Sequence, residues 1–288
     1  MTQTDVPPDA PTQDEFLRPV FERIWLHTVA LTVPAEGRDT FAPDDPGTHA
    51  GMGTLVLADR PCILTAAHVW HLRLGSRREF GVNWQSDRKG RALATRLITP
   101  RTWPRPPDGT WPDHGPDVAL LQLSDVDAHD LKVRDKVFYD LAKQRRADTP
   151  TSLWTPIGVP QEEQTFHDGY RLLAMHLYPT GQIVKQELDN GFDYIDIRAH
   201  FRQPGRPKKS FKGVSGSGLW HFVVRTDERG ASVWDGEITL AGVIYWQEPR
   251  ETDGGSLRAH GLKSIELTRK LSPELDPGLI EVGKRDSE

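Results

Sequence analysis

Residues 213–220 read Gly213-Val214-Ser215-Gly216-Ser217-Gly218-Leu219-Trp220, a serine set between glycines and followed at once by an apolar run. The pattern is typical of a tight turn that leads into a β-strand and holds one hydroxyl outward. Glycine permits positive φ and a close approach of another backbone, and two N–H groups that point the same way can bind a developing oxyanion. Ser215 is therefore a candidate nucleophile. A motif this short also recurs in flexible or bulged loops, which is the alternative interpretation.

Two stretches upstream carry a histidine and an acid at the edges of predicted strands. Residues 51–57 and 62–65 have strand composition on either side of a turn, and the second run leads into Ala66-Ala67-His68. Gly115-Pro116-Asp117 directly precedes the largely apolar run 118–123, which predicts an acid at the mouth of a buried strand. The chain therefore presents a histidine, then an aspartate, then a serine, each beside a strand.

His68, Asp117 and Ser215 form a candidate catalytic triad. Serine is a poor nucleophile until a neighbouring imidazole takes its proton, and a buried carboxylate fixes the tautomer of that imidazole and stabilises its protonated form. The order of the three residues argues against an α/β-hydrolase, in which the serine comes first and the histidine last. The elbow of those enzymes also needs a glycine two residues after the nucleophile, where this chain has Ser217.

Four nearby residues compete for the same roles. Ser217 is the alternative nucleophile, but it lies one step further into the predicted strand. His71 leads into a charged stretch, which is typical of an exposed histidine. Asp113 and His114 come shortly before Asp117, which is preferred because the buried strand begins directly after it.

The chain resembles the chymotrypsin/trypsin-like serine peptidases in three signature blocks, which stand in that family's order: Thr65-Ala66-Ala67-His68, Asp117-Val118-Ala119-Leu120-Leu121 and Gly213-Val214-Ser215-Gly216. Three blocks in order are far more specific than any one of them, and the resemblance covers roughly residues 25 to 270. It implies an all-β fold of two six-stranded antiparallel β-barrels with a short N-terminal and a C-terminal helix. The active site would lie in the cleft between the barrels.

The resemblance also implies a role for each residue of the site. Ser215 would attack the scissile carbonyl, His68 would act first as base and then as acid, and Asp117 would orient His68. The N–H groups of Gly213 and Ser215 would form the oxyanion hole. Many digestive members carry an aspartate before the serine that pairs with a newly cut N-terminus, but this chain has Val214. That leaves either a constitutively formed site or control by a regulatory protein partner.

Residues 242–246, which include Tyr245 and Trp246, are similar to the strand that lines the family's primary substrate pocket and pairs with substrate backbone. The base of that pocket corresponds to Lys209. A desolvated lysine needs a counter-charge, so this position predicts a preference for an acidic residue before the cleaved bond. The alternative is that the basic residues around Lys209 belong to an exposed loop.

Composition narrows the class of partner. The 288 residues carry a formal net charge of −5 with a pI near 6.1, which gives no general reason to expect nucleic acid as a partner. A single cysteine, Cys62, rules out an internal disulfide and fits a reducing cytoplasm. No signal-like or membrane-spanning apolar run is visible. We therefore expect a soluble, cytoplasmic protein with no nucleic-acid or membrane partner, no cofactor and no metal site.

The predicted segments are a disordered lead (1–13), an N-terminal helix (14–27), a first β-barrel (28–136), a second β-barrel with the C-terminal helix (137–272) and a tail (273–288). The charged stretch 125–148 is interpreted as the link between barrels. An apolar stripe in the N-terminal helix indicates packing on the body, with docking of a partner as the alternative.

The sequence as a whole predicts a serine endopeptidase that hydrolyses peptide bonds of a protein or peptide substrate through an acyl-enzyme intermediate. A catalytically silent member of the same family, which uses its cleft as a peptide-binding module, is an alternative from another functional class. A protease effector gated by a partner is a further alternative, and it rests on the expected cytoplasmic location and the absent N-terminal activation switch.

Overall fold

The computed structural model describes residues 13–34, 48–75, 79–83, 93–103, 116–143, 152–158, 164–167, 170–173, 176–177, 183–200, 213–248 and 254–272. The predicted lead apart from its last residue and the tail at 273–288 lie outside these residues.

The first half of the chain forms a seven-stranded sheet. Its strands are β1 (Thr28–Val33), β2 (Thr48–Leu57), β3 (Pro61–Thr65), β4 (Glu79–Asn83), β5 (Leu93–Thr102), β6 (Ala119–Leu123) and β7 (Tyr139–Asp140). The strand order is β1-β4-β5-β6-β3-β2-β7. In addition to its neighbour in that order, β1 pairs with β2. All pairs are antiparallel except β2 with β7.

The second half forms another seven-stranded sheet and a separate hairpin. Its strands are β8 (Ser152–Gly158), β9 (Gln164–His167), β10 (Tyr170–Leu173), β11 (His176–Leu177), β12 (Ile183–Asp189), β13 (Phe192–His200), β14 (Gly218–Thr226), β15 (Ser232–Glu248) and β16 (Gly254–Gly261). Strands β9 and β10 pair only with each other in the described part of the chain, and the sheet order is β11-β8-β14-β15-β16-β13-β12. Every pair is antiparallel.

Three α-helices accompany the sheets: α1 (Gln13–Trp25), α2 (Asp125–Val133) and α3 (Leu262–Arg269). Helix α2 begins after Ser124, whose hydroxyl oxygen accepts a hydrogen bond from the Asp127 N–H at 3.0 Å, as an N-cap residue does. A short π-helical turn, Val69–Arg73, follows His68 at the end of the loop after β3.

One apolar core joins the two halves. Three residues of α1, spaced on one face, are buried: Leu17, Val20 and Ile24. They belong to a cluster with members from both sheets: Val56, Leu64 and Leu120 from the first, and Ile157, Trp220, Phe222, Leu240 and Val243 from the second. The apolar stripe of α1 is therefore core, as the packing interpretation predicted.

A buried basic joint holds the end of α1 against the chain between the sheets. Lys136 Nζ donates to the carbonyls of Trp25 (2.7 Å) and Thr28 (2.9 Å), and His27 Nδ1 donates to Val137 O at 2.8 Å. Desolvation by burial lowers the pKa of Lys136 to about 7 and, as the largest of several causes, the pKa of His27 to about 4. Burial in this joint therefore favours the neutral form of the His27 imidazole.

The predicted all-β class with two antiparallel sheets and terminal helices is confirmed. The strand count is corrected from six to seven in each sheet. In the first, residues 139–140, which fall in the predicted link, pair with the edge of β2. In the second, residues 170–173 and 176–177 form two short strands with different partners, and the edge strands β11 and β12 do not pair among the described residues, so the sheet is open.

Candidate active site

His68 and Asp117 form a close pair in the first half of the molecule. His68 Nδ1 lies 2.6 Å from Asp117 Oδ2, and the His68 backbone N–H donates to Asp117 Oδ1 at 2.7 Å. The side chain of Asp117 is 3% exposed and that of His68 is 18% exposed. A buried carboxylate bound on both oxygens by one histidine fixes the ring and favours a proton on Nδ1, which leaves Nε2 as a potential base.

The sheet brings these two residues together. Strand β3 pairs antiparallel with β6, with Thr65 opposite Ala119. His68 lies three residues after the end of β3 and Asp117 two residues before the start of β6, so both lie beyond the same end of this strand pair. The antiparallel pairing of β3 with β6 thus brings His68 and Asp117 into contact although they are far apart in the sequence.

The loop that carries Ser215 is held by both sheets. From the first, Met52 N–H donates to Ser215 O at 2.8 Å. From the second, Gly216 N–H donates to Ile244 O (2.7 Å) and Ile244 N–H donates to Ser217 O (2.8 Å). The half-buried Ser215 therefore lies at the junction between the two halves, on the same side of β2 as the residue after His68: a Cβ on Gly51 would meet both Val69 and Ser215 O at 2.9–3.0 Å.

Gly216 explains why the serine is flanked by glycine. Its φ is +90°, and a Cβ there would collide with Met52 O and the hydroxyl of Thr65. Those two groups are themselves joined, since the Thr65 hydroxyl donates to Met52 O at 2.7 Å. A side chain at 216 would push the loop away from the strand that leads to His68.

Val214 anchors the loop on its other side. It is 1% exposed and packs in a core cluster of the second sheet with Trp154, Leu219 and Ile244. A Cβ on Gly158 would meet the methyl groups of Val214 at 2.7 and 2.8 Å, so the two residues pack closely. Apolar packing therefore occupies the position where many digestive serine peptidases have an ion-pairing aspartate.

The predicted oxyanion donors lie in this loop. Gly213 has a φ of +96°, and its carbonyl accepts a hydrogen bond from His49 Nε2 at 3.0 Å. Among the described residues, the N–H groups of Gly213 and Ser215 donate no hydrogen bond, whereas the next two N–H groups donate to Ile244 O and Val214 O. In the same described residues, Ser215 Oγ has no hydrogen bond to the His68 ring.

The competing residues lie elsewhere. Ser217 is fully buried, which separates its hydroxyl from any substrate. His71 Nε2 lies 3.3 Å from Trp103 O and from the Thr102 hydroxyl, so its ring is directed at the end of β5. Asp113 and His114 lie outside the described residues.

The predicted substrate-binding residues are only partly described. Lys209 and the side chain of Trp246 lie outside the described residues. Tyr245 is buried, with its ring stacked on His260 at 4.3 Å between ring centroids. Burial also raises the pKa of the Tyr245 hydroxyl. The ladder between β15 and β14 ends at Val243, and Ile244 then bonds to the serine loop, so residues 245–248 continue past that loop.

Sequence reasoning missed His260. Its Nε2 accepts a hydrogen bond from the Asp117 backbone N–H at 3.1 Å, across 143 residues of chain. The run Leu257 to Gly261 has no motif that marks this histidine, and only the pairing of β16 with its neighbours reveals it.

No protein-family model matches the chain, and no curated protein matches it. Among solved structures, the active form of the Rv3671c protease from M. tuberculosis matches with 15% sequence identity and a TM-score of 0.46, over 95% of this chain and 93% of that chain. A likeness at that identity and TM-score does not by itself assign an activity or a site to this chain. None of the described helices has the length and apolar character that a membrane span requires.

Proposed function

We propose that this protein is a serine endopeptidase in which Ser215 is the nucleophile, His68 the general base and acid, and Asp117 the residue that orients His68. The observation that carries the proposal is the His68–Asp117 pair at 2.6 Å, with a buried carboxylate, beside a serine loop tied to both sheets. Acyl transfer needs this combination because the imidazole must hold one tautomer while it takes and returns a proton.

The reaction follows from the roles of these groups. His68 Nε2 takes the Ser215 proton as Oγ attacks the scissile carbonyl, and the proton then passes to the leaving amine. Water, deprotonated by the same ring, releases the acyl group from Ser215. The N–H groups of Gly213 and Ser215, which are unengaged in the described part of the chain, would bind the oxyanion.

Labelling by a fluorophosphonate probe tests the proposal on the purified full-length protein. We expect the wild type and Ser217→Ala to be labelled and Ser215→Ala to be unlabelled, because Ser217 is fully buried whereas Ser215 is half-buried at the junction. Ser217→Ala is the matched control, since it removes a hydroxyl from the same loop. Labelling that survives in Ser215→Ala would refute the assignment, and an unlabelled wild type would favour the silent peptide-binding module.

The packing of Val214 favours a constitutively formed site over the partner-gated alternative. A loop held by apolar burial and by hydrogen bonds to Met52 and Ile244 needs no new N-terminus to order it. We therefore expect labelling without proteolytic processing and without an added partner. If labelling begins only after a cell extract is added, the partner-gated site is favoured over the constitutively formed one.

Substrate selection is assigned to the segment after the serine loop and to Lys209. Residues Tyr245 and Trp246 would offer backbone groups to an extended peptide, and Lys209 would favour an acidic residue before the cleaved bond. Cleavage of matched peptides with Asp, Glu, Arg or Phe at that position tests the preference. Fastest cleavage after Arg would refute the role of Lys209 and leave the basic stretch as an exposed loop. The cytoplasmic location stays a prediction of the sequence.

A further inference from the structure

We propose that His260 is a positioning residue for the His68–Asp117 pair, and that it acts from the second sheet through the backbone of Asp117. The inference rests on the proposed function and extends it by a residue that lies outside the triad. Its starting point is the hydrogen bond from Asp117 N–H to His260 Nε2 at 3.1 Å.

That bond completes the fixation of Asp117. Both carboxylate oxygens are bound to His68, which sets the position of the side chain relative to the ring. The serine loop is held partly from the first sheet, through Met52, and partly from the second sheet, through Ile244. The contact with His260 ties Asp117 itself to the second sheet, to which β16 belongs.

His260 is a rigid attachment point. Its backbone lies in the middle of the sheet, opposite Val243 of β15 on one side and Tyr194 of β13 on the other. Its ring is fully buried between Tyr245, at 4.3 Å, and Tyr194, at 4.9 Å between centroids. A ring packed in this way has one orientation, so its Nε2 marks a fixed point for the Asp117 backbone.

Strand β15, which pairs with β16 at His260, also holds the serine loop. Ile244, next to the ladder partner of His260, exchanges hydrogen bonds with Gly216 and Ser217. The loop of the nucleophile is therefore held by β15 and the orienting acid by its neighbour β16, although the two residues are far apart in sequence. A displacement of about 1 Å in such a constellation costs on the order of 100-fold in rate.

The hydrogen bond specifies the chemical form of His260. Because Asp117 N–H is the donor, Nε2 must be the unprotonated nitrogen, and a neutral ring then carries its proton on Nδ1. The titratable groups in contact with the ring are Asp117 in the first sheet, Tyr194 on β13 and Tyr245 on β15. Arg258 of β16 lies beside Tyr245 and is paired with Asp196 of β13. Burial raises the pKa of Tyr194 to about 12 and also raises the pKa of Tyr245, so both ring neighbours are neutral.

The hydrogen bond itself can be measured in the wild type by NMR. In uniformly ¹⁵N-labelled protein we expect a scalar coupling between the Asp117 amide nitrogen and His260 Nε2, together with the ¹⁵N shift of an unprotonated Nε2. A protonated Nε2 or the absence of that coupling would overturn the proposal, whatever any variant does.

Two variants then test its consequence. His260→Gln keeps an acceptor at the end of a side chain of similar length, and His260→Met removes the acceptor. We expect His260→Met to slow fluorophosphonate labelling about 10- to 100-fold. In the same variant, the proton in the hydrogen bond between His68 Nδ1 and Asp117 should exchange faster with solvent. We expect His260→Gln to stay close to the wild type in both. Thermal melts of both variants separate this effect from loss of fold.

Each outcome decides something. Equal rates and equal proton exchange in all three proteins would overturn positioning by His260, as would an equal loss in Gln and Met variants, because the acceptor would then be irrelevant. If the wild type is not labelled at all, the proposed protease function fails. The proton exchange at His68 still decides the role of His260 in that case, since it needs no reactive serine.

Discussion

The two oxygens of Asp117 accept from two different donors of a single residue, the main-chain N–H and the ring of His68. An asparagine has one acceptor oxygen and cannot satisfy both. If its oxygen faces the main-chain N–H, its NH₂ faces Nδ1, and the ring must then carry its proton on Nε2. The base that Ser215 needs would be lost without any change in shape.

Asp117→Asn should therefore lower the rate of fluorophosphonate labelling by roughly 10⁴, the order of magnitude known for removal of the orienting acid from such triads. The rate constant of labelling under excess probe measures this. Asp125→Asn is the matched control, because the Asp125 side chain is 85% exposed at the start of α2. A labelling rate within a few fold of the wild type in Asp117→Asn would contradict the assigned role.

At the scale of elements, the strands of the candidate site could be predicted and their neighbours could not. The predicted strand runs 51–57, 62–65 and 118–123 correspond to β2, β3 and β6, whose ends lie within three residues of the predicted ones. The apolar runs that flank His68 and Ser215 have strand-like composition and are bounded by turn residues, so they can be recognised in the sequence. Helix α2 and strand β7 were missed because residues 125–148 are rich in charge, and a surface helix with a two-residue strand leaves little apolar pattern.

The candidate site shows the same division. His68, Asp117 and Ser215 could be proposed because each lies beside a recognisable strand. His260 could not, because its contact with Asp117 depends on the register of β16 between β13 and β15, and register is a property of pairing rather than of local sequence. Val214 was recognised as a departure from the family pattern, but its role as an apolar anchor depends on Gly158, which is distant in the chain.

The joint between α1 and the chain before β7 predicts a pH-dependent stability. The pKa of His27 is about 4 in the folded protein against 6.5 for an ordinary histidine, so the unfolded chain binds more protons between these values. Stability is therefore present above pH 6.5 and is lost as the pH falls towards 4. The loss from this residue is about 3 kcal/mol.

His27→Asn is the comparison that isolates this effect, because asparagine can still donate to Val137 O but does not titrate. Urea denaturation at several pH values should give a free energy of unfolding that falls more steeply for the wild type than for His27→Asn between pH 6.5 and 4. Parallel curves for the two proteins in that interval would show that His27 does not titrate as its burial requires.

At the scale of the whole molecule, the core around α1 predicts that the two sheets unfold together. Ile24 is fully buried among side chains of both sheets, so Ile24→Ala should lower the free energy of unfolding by 2–5 kcal/mol, the range for large-to-small changes in a core. Near-UV and far-UV circular dichroism should still report one coincident transition.

Val126→Ala provides the control, since Val126 is 71% exposed on α2 and its truncation should change stability by less than about 0.5 kcal/mol. Two separate transitions in Ile24→Ala, or a melting temperature equal to that of the wild type, would mean that α1 is an appendage rather than part of a shared core.

The attachment of the serine loop to Ile244 and of Asp117 to His260 also orders events during synthesis. A ribosome makes His68, Asp117 and Ser215 before it makes β15 and β16, so a growing chain holds the three residues of the proposed triad before the contacts from Ile244 and His260 can form. We therefore expect the nascent polypeptide to be inactive, because these two contacts have not yet formed. The proposed proteolytic activity would arise only after the two closing strands have left the exit tunnel.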